Sequence, residues 1–210
     1  MEIAIRIAVL LFAVTIHEYS HGRAALSLGD PTAKNAGRLT LNPIPHIDPV
    51  GAICLFLAGI GWAKPVPVDV RYFSNKRRDT IIMALSGPIS NLAAAFVTGL
   101  FMRSYYLEYE IYHVIILYLI IFNTGLGIFI LIPIPPLDGS HVLENILPES
   151  LSVIFHKSRY YLPIILLSLL VVDRFLNLNI FSTVIGYPIF EVARLFGGEN
   201  FTKLLRIYNF

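Results

Sequence analysis

The sequence predicts an all-α polytopic membrane protein, and three observations carry that prediction. The 210 residues are 56% apolar and only 14% charged, against about 45–50% and about 25% in ordinary soluble domains. Mean hydropathy is +0.69, and the apolar residues gather in runs long enough to be spans. Such a chain carries more apolar surface than one small core buries, so lipid must be part of its solvent. The same composition excludes other classes. A net charge of +2, with no basic stripe interleaved with aromatics, speaks against nucleic acid as a partner. The single cysteine, Cys54, excludes an intrachain disulfide and a cysteine-based zinc cluster.

About five transmembrane helices are expected, at roughly 3–28, 80–102, 111–132, 160–172 and 178–196. The first run is interrupted by Arg6 and, in its second half, by His17, Glu18, His21 and Arg23. A cleaved signal peptide carries its charges before the apolar stretch, so this run reads as a retained span ended by Gly29-Asp30-Pro31. Residues 37–70 read as a small re-entrant, β-hairpin-like region. Gly37 to Pro43 suggests a short strand closed by a turn. Lys64 to Val70 alternates valines at period two, and Pro65 and Pro67 confine it to a sheet edge. Pro49 to Gly61, between them, is apolar but too short to cross, as in a re-entrant segment. Of the late spans, the fourth is short and the fifth holds Gly186-Tyr187-Pro188, which should kink it. A single integral membrane domain over 1–210 is expected, with a catalytic core over about 1–145 and C-terminal helices over 150–210.

Lysine and arginine in short loops set orientation. The segment 23–78 collects Arg23, Lys34, Arg38, Lys64, Arg71 and the run Lys76-Arg77-Arg78, whereas the loop 103–110 has Arg103 beside Glu108 and Glu110. The first loop is therefore expected in the cytoplasm and the N-terminus outside it. Lys157 and Arg159 then fall on the cytoplasmic side, as do Lys203 and Arg206 if both late spans cross.

The chemistry is concentrated in His17-Glu18-Tyr19-Ser20-His21. Residues four apart share a helix face, so both imidazoles can reach one metal ion. The glutamate beside the first histidine is placed to hold a water and take its proton. Ionisable groups inside an apolar helix are costly and need a reason. His17 sits about 21 Å along its helix, in a hydrocarbon core about 30 Å thick, so the site lies below the membrane surface and needs a water path. A catalytic zinc takes three protein ligands and leaves a position open. The best third candidate is Asp138, which follows the proline-rich break Pro133-Ile134-Pro135-Pro136-Leu137 after a full-length span. Gly139 permits a tight turn that points the carboxylate back into the bundle. The alternative for Asp138 is an ordinary helix cap.

With these pieces in place, the chain resembles the site-2 protease family of intramembrane zinc metallopeptidases. The resemblance rests on His17-Glu18-Tyr19-Ser20-His21, Gly61-Trp62-Ala63-Lys64-Pro65-Val66-Pro67-Val68, Ser86-Gly87-Pro88-Ile89-Ser90-Asn91 and Pro133 through Gly139, in the family's order over roughly 10–145. It implies that His17, His21 and Asp138 bind one zinc ion per chain and that Glu18 is the general base. It implies hydrolysis of peptide bonds within or near transmembrane segments, and a site facing the cytosol of a prokaryotic cell membrane. Single-pass membrane proteins or leftover signal peptides are the substrates it suggests. The length leaves no room for the PDZ or CBS domains of some relatives, as in a minimal member. One position departs from the family. Eight residues before the aspartate, where an asparagine is usual, stands Ile130, which donates no hydrogen bond; losing one oxyanion donor costs about 100- to 1000-fold in rate. Asn123, about two helical turns earlier, is a poor substitute.

Other residues have plainer readings. Lys64, Pro65, Val66, Pro67 and Val68 are candidates for holding substrate by β-augmentation, pairing an unwound segment along the proposed edge. Asn91 joins them as a candidate, and also suits a donor behind a ligand or packing between helices. His46 and Asp48 read as a polar turn, and His141, one helical turn past Asp138, as a spare ligand at most. Two rival functions remain. A catalytically silent relative that binds transmembrane helices is supported by Ile130, and a metal transporter would use the same three ligands but should show an internal repeat.

Overall fold

The computed structural model describes residues 2–58, 61–104 and 110–208. Glu108 and the two residues before Gly61, used in the readings above, lie outside them. Helix α1 (Glu2–Ser27) leads through a short α2 (Thr32–Asn35) and α3 (Pro49–Ala58) to α4 (Lys76–Ser104) and α5 (Glu110–Ile130). Then come α6 (Asp138–Ile146), α7 (Glu149–Ser158), α8 (Leu162–Leu176) and α9 (Tyr187–Ile207).

Three helices, α1, α4 and α5, are long and apolar enough to cross a membrane, and each packs against the other two. Their directions follow from the contacts. The Asn91 amide donates to Ala13 O at 2.9 Å, and His21 meets Met83 O at 2.8 Å. Numbers rise along α1 as they fall along α4, so the two are antiparallel. Tyr118 of α5 donates to Glu2 at 2.5 Å, while Asn123, further along α5, meets the Asn91 amide that also reaches Ala13, so α5 runs parallel to α1. The bundle therefore has one end built from the C-terminal part of α1, the start of α4 and the end of α5, and an opposite end carrying Glu2, Arg103 and Glu110.

Five spans are not found among the described residues. The expected fourth and fifth become α8 and α9, and a fourth crossing exists only if α7 and residues 162–173 of α8 form one span bent by 56°. Pro163, at the start of α8, removes the donor that would have carried α7 onward. Helix α9 carries Glu191, Arg194, Glu199, Lys203 and Arg206, too many charges for a span. It breaks at Gly198, where φ is +68°, and folds back on itself. The rings of Phe190 and Phe201 lie 6.1 Å apart, whereas eleven residues of straight helix would separate them by about 16 Å. The turn is locked against the end of α4, with Asn200 donating to Met102 O at 3.0 Å. Phe201 and Leu205 complete an apolar cluster with Met102, Ile116, Leu117, Ile120 and Ala193. Lys203 and Arg206 thus lie at the bundle end away from Arg159, which is bonded to Glu144 of α6, and not beside it as the charge count expected.

The hairpin expected over 37–70 is likewise not found among the described residues. Among the described residues there is no strand, only an isolated antiparallel bridge between Ile47 and Ala63, continued by Lys64 N–H donating to His46 O at 2.9 Å. The reason is in the sequence: Pro43, Pro45, Pro65 and Pro67 lack the N–H groups that a ladder needs. The apolar stretch between the two arms is α3, too short to cross, with Val50, Ile53, Phe56 and Leu57 exposed.

Candidate metal centre

His17 and His21 occupy one face of α1, and their side chains are buried where α1 meets α4. Asp138, the first residue of α6, approaches them from the proline-rich turn. Its Oδ2 lies 3.1 Å from His17 Nε2 and 2.9 Å from His21 Nε2, and the two Nε2 atoms are 2.9 Å apart. These three residues form the one group of metal-capable side chains found among the described residues. Two glycines make room for it. A Cβ on Gly87 of α4 would lie 2.5 Å from His21 Nε2 and 2.7 Å from His17 Nε2, so any larger residue would fill the space between the rings. A Cβ on Gly139 would fall 2.0 Å from Leu131 O. Gly139 is therefore needed for close approach of two backbones, and its φ is not among the positive ones.

The ring orientations are set from behind. The Asn91 amide nitrogen faces two oxygens, Ala13 O at 2.9 Å and Asn123 Oδ1 at 3.0 Å, which fixes its flip and turns Oδ1 toward His17 Nδ1 at 2.7 Å. His17 therefore carries its proton on Nδ1. His21 Nδ1 faces the Met83 carbonyl at 2.8 Å and must donate as well. Both Nε2 atoms are left to present lone pairs to each other and to a carboxylate oxygen. The third atom, Oδ2, belongs to a carboxyl group that accepts and does not donate when ionised. Three acceptors at about 3 Å repel one another, and a single shared proton satisfies only one of the three contacts. A cation bound by all three satisfies every one. Zinc, at 2.0–2.1 Å from such ligands, spans edges of about 3.3 Å, so opening the triad by a few tenths of an ångström admits it. The donor set, two imidazoles and one carboxylate with their outer nitrogens hydrogen-bonded, fits that ion.

Glu18 adjoins the triad on α1 and is 8% exposed. It does not join the ligand cluster; its Oε2 accepts from Val66 N–H at 2.7 Å. Lys64 to Val68 is therefore brought to the site, but the amide expected to greet a substrate is held by Glu18. Asn91 is sealed behind His17 and lies away from any surface a substrate could touch. Asn123 stands one layer further back, its own amide donating to Leu119 O at 2.8 Å, and supplies no donor to the site. His46 is buried and bonded to Thr40 O, while Asp48 caps α3 through Gly51 N–H; neither joins the triad. His141 is turned to Arg159, whose guanidinium lies 3.1 Å from its Nδ1. Sequence reasoning missed Asp30. This fully buried carboxylate accepts from Thr32 N–H and, through Oδ2, from Asp69 N–H at 2.8 Å, pinning the far end of the Lys64–Asp69 segment.

The chain is similar to bacterial proteins named "Putative zinc metalloprotease". YwhC of Bacillus subtilis is 37% identical over 180 residues, which are 77% of this chain and 78% of YwhC. Rip2 of Mycobacterium tuberculosis is 30% identical over 154 residues, and Rip2 of Mycolicibacterium smegmatis 28% over 151. The match to each Rip2 covers 69% of this chain and 58% of the relative's length. No family model matches the chain, and no solved structure matches it at comparable stringency.

Proposed function

The chain belongs to the zinc metalloprotease family of YwhC, and from that premise we propose that it is an intramembrane metalloprotease of the site-2 type, cleaving peptide bonds within or near transmembrane segments. The observation that carries the reading is the triad of two buried histidines and the half-buried Asp138, three acceptors facing one another beside the Glu18 carboxylate, set among three helices apolar enough to cross a membrane. His17, His21 and Asp138 would hold zinc, and Glu18 would be the general base. Zinc in such a site supplies a Lewis acid that polarises a carbonyl and acidifies water. Asn91 and the Met83 carbonyl keep the two ring nitrogens aimed inward. Glu18 takes the proton of the attacking water on its carboxylate and returns it to the departing amine. A peptide bond in a helix is protected by its own hydrogen bonds, so the substrate has to unwind. The Lys64–Val68 segment, held extended by Pro65 and Pro67, offers backbone against which the unwound stretch lies. Ile130, the last residue of α5, gives no oxyanion donor. Single-pass membrane proteins or signal-peptide remnants are the proposed substrates, and the loop-charge asymmetry supports a site opening toward the cytoplasm.

Glu18→Gln decides the assignment. It should retain one zinc per chain, measured by elemental analysis, and lose cleavage of a transmembrane peptide by about a thousandfold or more, as expected for removal of a general base whose chemistry no other group replaces. Retained turnover removes Glu18 from the mechanism.

A further inference from the structure

We propose that the Val66 N–H latches the Glu18 carboxylate, and that an extended substrate strand frees this base by taking the Val66 amide for itself. The inference rests on the proteolytic reading above and deepens it. In an extended segment successive residues point their N–H and C=O groups to opposite edges. Lys64, Val66 and Val68 share one edge; Pro65 and Pro67 share the other and have no N–H to offer. Residues 64 and 66 each precede a proline, which holds them extended. The only donors for a paired strand are therefore on the Lys64–Val66–Val68 edge, and that edge faces the site, because Val66 N–H reaches Glu18 Oε2 at 2.7 Å. Lys64 N–H is committed to His46 O, and Arg38 donates to Lys64 O at 2.7 Å. Asp69 N–H is committed to Asp30. The segment is thus fixed at both ends, Val66 is itself buried at 8% exposure, and its central amide bonds the side chain that the chemistry needs. A substrate strand entering between this edge and α1 competes with Glu18 for one hydrogen. Its carbonyl accepts from Val66 as Glu18 lets go, so the carboxylate is released only where a strand is already seated.

Two variants that do not cleave separate the latch from catalysis. Glu18→Gln keeps an oxygen that accepts from Val66, and Glu18→Ala has none. With both proteins zinc-loaded in nanodiscs, a fluorescently labelled apolar peptide with a proline-weakened centre should bind Glu18→Ala about fivefold tighter than Glu18→Gln, the worth of one net hydrogen bond no longer contested. Hydrogen exchange read by mass spectrometry over 62–69 should show the Val66 amide protected in wild type and in Glu18→Gln. In peptide-free Glu18→Ala it should exchange about tenfold faster, and saturating peptide should restore protection. Equal affinities, or Val66 protection indifferent to both substitution and peptide, overturn the latch. Cleavage retained by Glu18→Gln, or absent zinc, overturns instead the proteolytic reading, and leaves the exchange result to be read on its own.

Discussion

Helix α1 carries two polar pairs at the same four-residue spacing, and they behave as opposites. At one end, Glu2 and Arg6 bond each other at 2.5 Å. Arg6 donates to the Tyr118 hydroxyl at 2.6 Å, Tyr118 donates to Glu2, and the guanidinium lies over the Tyr118 ring. Donors meet acceptors around a closed ring, half exposed at 52% and 58% for the two charged side chains, and nothing further is required. Toward the other end, His17 and His21 are buried, their donor nitrogens are used up on Asn91 and Met83, and acceptors face an acceptor. Spacing alone does not make a metal site. What distinguishes the second pair is that its outer nitrogens are committed elsewhere, so that the inner ones and a carboxylate oxygen are left facing one another.

Removing the anion should break that distinction most severely. In Asp138→Ala two ligands remain, and zinc content should fall from one per chain toward zero on dialysis against a weak chelator, with cleavage lost by about a thousandfold or more. His141 should not rescue binding, because its Nδ1 is engaged by Arg159; unchanged stoichiometry would assign the third ligand elsewhere. Filling the space from α4 comes next. Gly87→Ala leaves every ligand in place but sets a methyl 2.5 Å from His21 Nε2, closer than side-chain atoms tolerate. Zinc affinity by competition titration should drop about a hundredfold, the upper range for a disturbed support of a ligand, while the circular dichroism spectrum stays helical. Full affinity would mean that the rings move aside freely.

Asn91→Ala tests the support itself. It removes the acceptor for His17 Nδ1 and leaves the Asn123 Oδ1 without its donor, so His17 can turn or change tautomer. The expected loss is about ten- to a hundredfold in zinc affinity, with cleavage recovering at saturating zinc. Loss that zinc does not restore would make Asn91 part of the chemistry and not of the support.

Much of this was legible in the chain, and the parts that were not have more than one cause. His17, Glu18 and His21 are local, because helix periodicity alone puts them on one side. Asp138 announced itself by the prolines before it and the glycine after. The three long apolar helices were legible because length and apolarity suffice to define a candidate span. The fold of α9 was not, since hydropathy does not report that Gly198 takes a positive φ and returns the chain onto α4 and α5. Period-two valines suggested an edge strand at 64–70, with Pro65 and Pro67 leaving donors on one edge alone; that edge spends its N–H groups on His46 O and on the Glu18 side chain, which no local pattern reports. Asp30 and the Met83 carbonyl were invisible for a different reason. Their roles depend on backbone groups brought close by tertiary packing, and any residue can supply a carbonyl.

The smallest effect is expected at the closed ring, and its smallness is informative. Arg6→Ala removes the donor to both Glu2 and Tyr118 but leaves no buried charge stranded, since the pair is largely exposed, and exposed ion pairs contribute little to stability. Arg6 lies eleven residues from His17, about 16 Å along α1, beyond the range over which substitutions usually couple. Zinc content should stay at one per chain and cleavage within about twofold of wild type, the scatter expected for independent sites. The double variant with Asn91→Ala should bind zinc as the Asn91 variant does. A further drop in the double variant would show that the closed ring sets the rotation or tilt of α1, so that the two pairs are one device sharing a helix and not two neighbours with different demands.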